Sequence, residues 1–468
     1  MRLIPMYTWN KGFRNFEHRH ESFLQRPWSQ GLILLICVCL AMLLANLPFT
    51  KVGYKEILET PLSIHLGEYV FPHGMTVEKF INDILMVVFF FAVGLEIKRE
   101  IRYGELSTPK KALMPVIAAF GGVIVPALIY SFVNIGTEAS SGWGIPTATD
   151  IAFAVGIMSV LGDRVPISLK VFLTALAIAD DLIAILVVAI FYGEHIKIFF
   201  LLGAAVLIGI IYMMNRVGEK RSWFYMIPAI GVWILFYYSG IHATMSGVVM
   251  AFLIPMTPRF SKEYYYHKRN TFRRQLHDYD AFQEPGGFPN TLQRGLLRQL
   301  SHTSLNCIGL SYRLEHSLAP WVNFVIMPIF ALANAGVTIP SLEYLNVFHF
   351  DQVLGSVGMG VFLGLVVGKP LGITLAALIA VKTKIGSMPE GASWRMLFAV
   401  ACLGGIGFTM SIFVDTLSFA DYPEYTEQFQ DMGKVSVLMG SITAAVLGTM
   451  LVNTFHKLLP HKFETKTE

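Results

Sequence analysis

The stretch LTALAIADDLIAILVV, residues 173–188, decides the fold class of this chain. It lies within an apolar segment over 166–192, which exceeds the roughly 20 residues that a helix needs to cross the hydrocarbon core of a bilayer. Two adjacent carboxylates, Asp180 and Asp181, stand in its middle. A charged side chain at that depth costs about 3 kcal/mol or more, so it indicates a functional path through a helical membrane protein.

Two further charges interrupt apolar segments. Asp150 lies in PTATDIAFAVG, residues 146–156, and Lys369 lies in FLGLVVGKPLGITLA, residues 362–376. Ionisable residues inside membrane spans usually face the protein interior and mark ion or proton paths. We therefore treat these two residues, with the aspartate pair, as the candidate site.

The composition supports a membrane protein throughout. Hydrophobic residues make up 54% of the 468 residues and charged residues only 15%, against about a quarter in soluble domains. Continuous apolar runs exclude a β-barrel, whose strands alternate in polarity. The net charge of +4 does not indicate nucleic-acid binding, because the basic residues cluster in loops between spans.

The sequence predicts an all-α protein with about twelve transmembrane helices. The predicted spans are 30–49, 80–101, 112–133, 147–161, 166–192, 197–214, 222–238, 242–256, 320–337, 354–381, 396–416 and 434–455.

Basic residues predict the orientation, because Lys and Arg accumulate in cytoplasmic loops. Every second loop is basic, whereas 134–146 and 338–353 contain no Lys or Arg and 417–433 is acidic. Both termini should then face the cytoplasm. The predicted parts are an N-terminal segment over 1–29, a transmembrane domain over 30–456 and a tail over 457–468.

One long polar stretch, residues 257–318, interrupts the transmembrane domain and is rich in Lys and Arg. We expect a cytoplasmic insertion that is partly helical near 290–317. Two interpretations stay open: a solvated insertion without a role in transport, or a regulatory segment that binds lipid headgroups.

Two spans carry Gly, Pro and Thr where a helix interior is expected. These are GWGIPTATDIAFAVG, residues 142–156, and ACLGGIGFTMSIF, residues 401–413. They are spans 4 and 11, the middle members of the triplets 3–5 and 10–12. Broken helices at membrane depth must line protein or water, and their ends carry partial charges. Asp150 would offset the partial positive charge of helix N-termini or contribute to a cation path. Lys369 would offset the partial negative charge of helix C-termini or form an ion pair with a site carboxylate.

Adjacent aspartates in a poorly solvated cavity repel each other, so at least one should hold a proton near neutrality. Carboxylate oxygens also suit a small hard cation, which displaces those protons on binding. Competition between protons and a cation for Asp180 and Asp181 is sufficient for cation/proton exchange.

Eight motifs in order resemble the bacterial NhaA-type Na+/H+ antiporters, from about residue 25 to 455. They are FAVGLEIKREIRYGELS, MPVIAAFGGVIVPALIY, PTATDIAFAVGIMSVLGDRVP, FLTALAIADDLIAI, SGIHATMSGVV, FALANAGV, VVGKPLGI and LGGIGFTMSIF. Interrupted spans at matching positions of two halves point to the binding site of a transporter, a rule drawn in part from this same family.

The resemblance implies inverted repeats with two crossed, unwound helices, spans 4 and 11. By motif match, Asp180 and Asp181 would bind Na+, Li+ or H+, Thr149 and Asp150 would lie at the crossing, and Lys369 would be the family's buried lysine. The implied exchange moves more protons inward than sodium outward, is electrogenic and rises at alkaline pH.

The resemblance also assigns a pH response to Glu96, Glu100 and Glu315, with His316 beside them; as helix-end residues they could equally be ordinary anchors. It further implies a bacterial inner membrane and a tendency to form a homodimer through an extracellular hairpin, for which 50–79 has the length. The sequence departs from the family's pattern in the long 257–312 loop and in Ala319, where some members carry a histidine, and both departures are expected at the cytoplasmic face near these residues.

Three other functions fit less well. An intramembrane aspartyl protease would need a G-x-G-D-like context, which neither TATD nor IADD provides. An organic-anion/sodium symporter would carry fewer carboxylates, and a passive channel would carry a ring or filter of repeated residues. We expect no enzymatic activity, no cofactor and no nucleic-acid partner.

Overall fold

The structure, a computed structural model, describes residues 27–62, 64–66, 69–71, 75–193, 197–280, 291–339, 346–348, 355–419 and 425–458. The described helices are α1 (Pro27–Asn46), α2 (Lys51–Glu59), α3 (Val77–Tyr103), α4 (Pro109–Val133), a 3₁₀ helix (Glu138–Thr147), α5 (Ile151–Leu161), α6 (Ile167–Phe191), α7 (Ile198–Val217), α8 (Trp223–Ser239), α9 (Met245–Leu253), α10 (Lys262–Asp280), α11 (Thr291–Asn306), α12 (Leu310–Asn334), α13 (Val357–Lys382), α14 (Trp394–Gly404), α15 (Phe408–Ser418) and α16 (Thr426–Leu458). Strands β1 (Ile64–Leu66) and β2 (Tyr69–Phe71) pair antiparallel.

Among these helices, eight are long and apolar enough to cross a membrane, and two bent pairs bring the number to ten. The protein is therefore a multi-pass helical membrane protein. Helix α8 is apolar but has only 17 residues and α9 has nine, so the predicted count of twelve stays a prediction. Most of the predicted segment 1–29 and nearly all of the tail 457–468 lie outside the described residues.

Two helices extend well beyond the predicted spans. Helix α12 begins at Leu310 and α16 begins at Thr426, whereas the corresponding spans were predicted from 320 and 434. The added turns are polar, and hydropathy alone does not register helix that continues past the hydrocarbon core.

The chain divides into two compact units. The first contains Met1–Asn82, Tyr103–Tyr192 and Asn323–Glu468, and the second contains Asp83–Arg102 and Gly193–Val322. The main core of the first unit joins α4, α5, α6, α13, α14 and α16. The core of the second unit joins the described parts of α3 and α12 that belong to it with α7, α8 and α9.

The insertion contains two helices that pack on each other, α10 and α11. Helix α11 covers part of the predicted helical region, whereas α10 was not predicted; residues 281–290 lie outside the described residues. The ends of the insertion meet: the backbone amides of Arg259 and Phe260 donate to the carbonyl of Asn306 at 2.9 and 3.1 Å. The predicted boundaries 257–318 remain a prediction.

Two spans are broken. The 3₁₀ helix and α5 are separated at 148–150 and bent by 41°, and α14 and α15 are separated at 405–407 and bent by 49°. Residues 148–150 form the first break and residues 405–407 the second break. Both fall inside the interrupted spans 4 and 11, where Gly and Pro oppose a continuous helix.

Candidate functional site

The two breaks contact each other inside the first unit. The backbone amide of Asp150 donates to the carbonyl of Ile406 at 2.7 Å. Thr149 Oγ1 lies 2.9 Å from the carbonyl oxygen of Gly404, the last residue of α14. Two helix starts, α5 and α15, and two helix ends, the 3₁₀ helix and α14, therefore meet at one place.

Asp150 caps both helix starts. Its Oδ1 accepts a hydrogen bond from the backbone amide of Phe153 at 3.2 Å, which caps α5. Its Oδ2 accepts from the amide of Thr409 at 3.1 Å and from the Thr409 hydroxyl at 2.5 Å, which caps α15. A carboxylate stabilises the positive end of a helix, and this one lies at two such ends together.

Lys369 and Asp180 form an ion pair in which neither side chain is exposed. Lys369 Nζ also donates to Thr149 Oγ1 at 2.5 Å, and that oxygen lies 2.6 Å from Asp180 Oδ2. The lysine follows a π-turn over Gly364–Gly368. Pro370 has no amide hydrogen for a helix bond, and a π-turn of this kind accommodates the defect.

The two aspartates of α6 occupy different surroundings. Asp180 gives Oδ2 to Lys369, while its Oδ1 is buried and has no hydrogen-bond partner within the described residues. Asp181 is also buried, and its charge acts on Lys369 as well. An orphaned carboxylate oxygen beside a second buried carboxylate fits a site for a small hard cation.

The four residues assigned to the pH response lie in the second unit. Arg99 connects the three glutamates: its guanidinium lies 2.9 Å from Glu100, 3.4 Å from Glu315 and 3.9 Å from Glu96. The ring of His316 stacks on Tyr312 at 5.4 Å between centroids. The structure therefore brings the three glutamates together around one cation, Arg99.

The sequence profile described as Na+/H+ antiporter 1 matches residues 21–452. The chain belongs to this Na+/H+ antiporter family. A relative named Na(+)/H(+) antiporter NhaA from Wolinella succinogenes is 40% identical over 432 residues, covering 92% of each chain. Relatives with the same name from Phocaeicola vulgatus (39% over 456 residues, 97% of this chain and 98% of the relative) and Helicobacter pylori (40% over 438 residues, 93% and 95%) are similarly close. The NhaA-type resemblance predicted from the motifs is confirmed.

Within this antiporter, one buried carboxylate escaped the sequence analysis. Asp415 of α15 is fully buried, although it lies near the predicted end of span 11, where a charge is ordinary. The sequence does indicate its burial, because Asp415 stands within the largely uncharged stretch GFTMSIFVDTLSF, residues 407–419. Thr409, quoted earlier only as part of an interrupted span, is the second partner of Asp150.

Proposed function

We propose that this chain exchanges cytoplasmic Na+, or Li+, for external H+ across a bacterial inner membrane. The observation that carries the proposal is the buried group of Lys369, Asp180 and Asp181 beside the two breaks. Membership of the antiporter family, whose relatives bear the name Na(+)/H(+) antiporter, supports the same exchange.

In the proposed cycle, Asp180 and Asp181 bind the cation. Asp180 contributes an oxygen that is already desolvated and has no hydrogen bond within the described residues. Adding a second carboxylate gives a small cation hard oxygen ligands in place of part of its hydration shell. Thr149 and Asp150 hold the breaks in position beside this site rather than carrying the cation.

Lys369 competes with the cation for the carboxylate of Asp180. Its ammonium and a bound Na+ both need Asp180, and a buried lysine that loses its counter-ion has little to keep it charged. Cation binding should therefore release the lysine proton, and cation release should restore the ion pair.

The charges of the two loaded states differ. In the proton-loaded state Lys369 is charged, Asp180 is ionised and Asp181 holds a proton, so the site is neutral. In the sodium-loaded state Lys369 is neutral and both aspartates are ionised around one cation, so the site carries one negative charge. The cycle therefore moves more protons than sodium ions and is electrogenic.

The pH response belongs to the same proposal. The cluster of Arg99 with Glu96, Glu100 and Glu315, and the neighbouring His316, would set the pH at which exchange begins. The alternation of basic and non-basic loops supports a cytoplasmic position for both termini and for this cluster. A homodimer joined through the β1–β2 hairpin is part of the same proposal.

The test uses purified protein in proteoliposomes with a pH gradient. Added Na+ and Li+, but not K+, should collapse the gradient, and an imposed membrane potential should change the rate. Asp181→Asn should abolish exchange, while the matched control Asp163→Asn, on an exposed turn, should not. Normal exchange by Asp181→Asn would refute the site, and no exchange by the unaltered protein at any pH would refute the function.

A further inference from the structure

Helix α15 carries a second polar stripe, on a different face from Thr409. Ser411, Asp415 and Ser418 follow one another at helical spacing and are all buried. At 3.6 residues per turn, these positions fall on one side of the helix and Thr409 falls on the opposite side. The stripe therefore leads away from the second break along a face that the proposed cation site does not use.

Asp415 lies in an enclosed and partly polar environment. Its side chain is 0% exposed, and neither carboxylate oxygen has a hydrogen-bond partner within the described residues. Helix α16 approaches so closely that a Cβ atom at Gly433 would collide with Asp415 Oδ1. Only a glycine permits this approach, so the carboxyl group is held against the backbone of α16.

The charged and titratable groups around Asp415 come from several elements. Four groups interact with it electrostatically: Lys434 and Asp431 of α16, Tyr130 of α4 and Tyr192 after α6.

The adjoining 3₁₀ helix contributes backbone carbonyls. Those of Ala139 and Ser141 accept hydrogen bonds from the hydroxyls of Tyr130 and Tyr192 at 2.8 and 2.9 Å. Glu138 opens that helix with a buried Oε2 that lacks a partner among the described residues. Helix α12 adds the apolar Phe330, which packs on Phe413.

Such an environment accommodates a neutral carboxylic acid much better than a carboxylate. Burying an ionised carboxyl group without hydrogen bonds or a close counter-ion is strongly unfavourable. Lys434 interacts electrostatically with Asp415, but among the described residues it donates no hydrogen bond to either carboxylate oxygen. A proton on Asp415 removes the unfavourable charge, and Lys434 keeps the ionised form accessible.

The stripe connects Asp415 to the breaks. Side chains of an α-helix lean towards its N-terminus, so the Asp415 carboxyl leans over the turn of Ser411. Cβ atoms four residues apart lie about 5–6 Å from each other, and rotation of the side chains brings such a pair within hydrogen-bond distance. Ser411 Oγ in turn lies against Gly407, where an added Cβ would also meet the carbonyl of Ala148 at 3.0 Å.

We propose that Asp415 is an additional proton-binding residue of the exchange cycle, on the extracellular side of the cation site. It rests on the proposed function, and on the predicted extracellular position of the acidic loop 417–433. A proton from external water binds a carboxylate oxygen of Asp415. Ser411 then accepts that proton on Oγ and passes its own hydroxyl proton to Thr149 Oγ1 at the first break. Thr149 in turn gives its hydroxyl proton to Asp180 Oδ2, to which it is hydrogen-bonded, and the proton passes from there to neutral Lys369, which restores the ion pair.

Two transport modes distinguish this role from a structural one. Sodium/proton exchange requires proton uptake, whereas exchange of radioactive sodium for unlabelled sodium returns the cation site loaded with Na+ in both directions and needs no proton. Asp415→Asn retains the shape and polarity of the neutral acid but cannot carry a proton. It should slow sodium/proton exchange by about 100-fold, flatten its dependence on external pH, and leave sodium/sodium exchange near the level of the unaltered protein.

Three controls make the result decisive. Asp415→Glu keeps a carboxyl group and should show a sodium/proton exchange rate above that of Asp415→Asn. Ser411→Ala should slow sodium/proton exchange selectively, but less than Asp415→Asn does. Asp163→Asn should change neither mode. Equal loss of both modes would assign Asp415 a structural role, and unchanged proton coupling would also overturn the proposal. If Asp415→Asn cannot be purified folded, Ser411→Ala decides: without selective loss, the relay is wrong. Absence of exchange in the unaltered protein would instead refute the proposed function.

Discussion

Asp150 and Thr409 lie 259 residues apart in the chain, yet the carboxylate of the first accepts both the amide and the hydroxyl of the second. The same carboxylate also caps α5 through Phe153. Positive partial charge from two helix starts would otherwise face each other inside the membrane-spanning part of the protein. Of the two roles open from the sequence, we propose charge compensation for Asp150, and its part in a cation path stays a prediction.

Asp150→Ala should destabilise the protein, because two helix starts lose their cap together. At about 1 kcal/mol for each cap, we expect a loss of roughly 2 kcal/mol, and Asp150→Asn should lose less because an amide oxygen still accepts. The measurement is the thermal unfolding midpoint in detergent, with Asp163→Asn as the matched exposed control. An unchanged midpoint for Asp150→Ala would contradict the double cap.

Lys369→Met should destabilise the protein on the order of 3–5 kcal/mol, because it leaves Asp180 as an unpaired buried charge. Asp180→Asn should be destabilising for the same reason in reverse. The double variant should be less destabilised than the sum of the two, since neither charge then lacks its partner. Thermal unfolding of the four proteins tests this coupling. Additive effects would mean that the ion pair does not form in the folded protein.

Arg99→Gln should move the onset of exchange to higher pH. Without the guanidinium, Glu96 and Glu315 face each other without their common counter-ion, so a higher pH is needed to reach the same ionised state. Initial rates of exchange across a pH series measure the shift. Arg102→Gln, an exposed position on the same helix, is the control. An identical profile for Arg99→Gln and the unaltered protein would exclude the cluster as the pH sensor.

Removal of residues 261–305 should leave exchange intact and shift its pH dependence. Because Phe260 and Asn306 are already hydrogen-bonded, a short glycine linker can join them without moving the flanking segments. The deleted part carries more Lys and Arg than Asp and Glu, so its loss changes the surface potential of the protein. Exchange in proteoliposomes and the unfolding midpoint are measured together. Loss of exchange in a stably folded deletion would assign the insertion a direct role in transport.

The buried charges were predictable from the sequence, because a charged side chain at membrane depth is energetically costly and therefore usually has a function. Asp150, Asp180, Asp181 and Lys369 stand out against apolar neighbours by composition alone. Glycine and proline likewise indicate where spans 4 and 11 are interrupted. These features depend only on local chemistry, which the sequence displays directly.

The pairings were not predictable in the same way. Whether Lys369 contacts Asp180 or a helix C-terminus depends on how α13 lies against α6, and no local pattern encodes that. Thr409 is one of many threonines until α15 is placed beside the first break. Asp415 was missed because hydropathy locates the end of a span only approximately, and a carboxylate near an end has an ordinary explanation in the headgroup region.

The backbone hydrogen bond from Asp150 to Ile406 has a consequence for motion. It joins the two breaks through main-chain atoms, so no substitution of a side chain removes either the donor or the acceptor except proline at position 150. Together with the contacts between Asp150 and Thr409, this hydrogen bond holds α5 and α15 together as one rigid unit. Any movement that opens the site to one side of the membrane and then to the other should carry both half-helices together, because separating them would leave backbone groups at membrane depth without their hydrogen bonds.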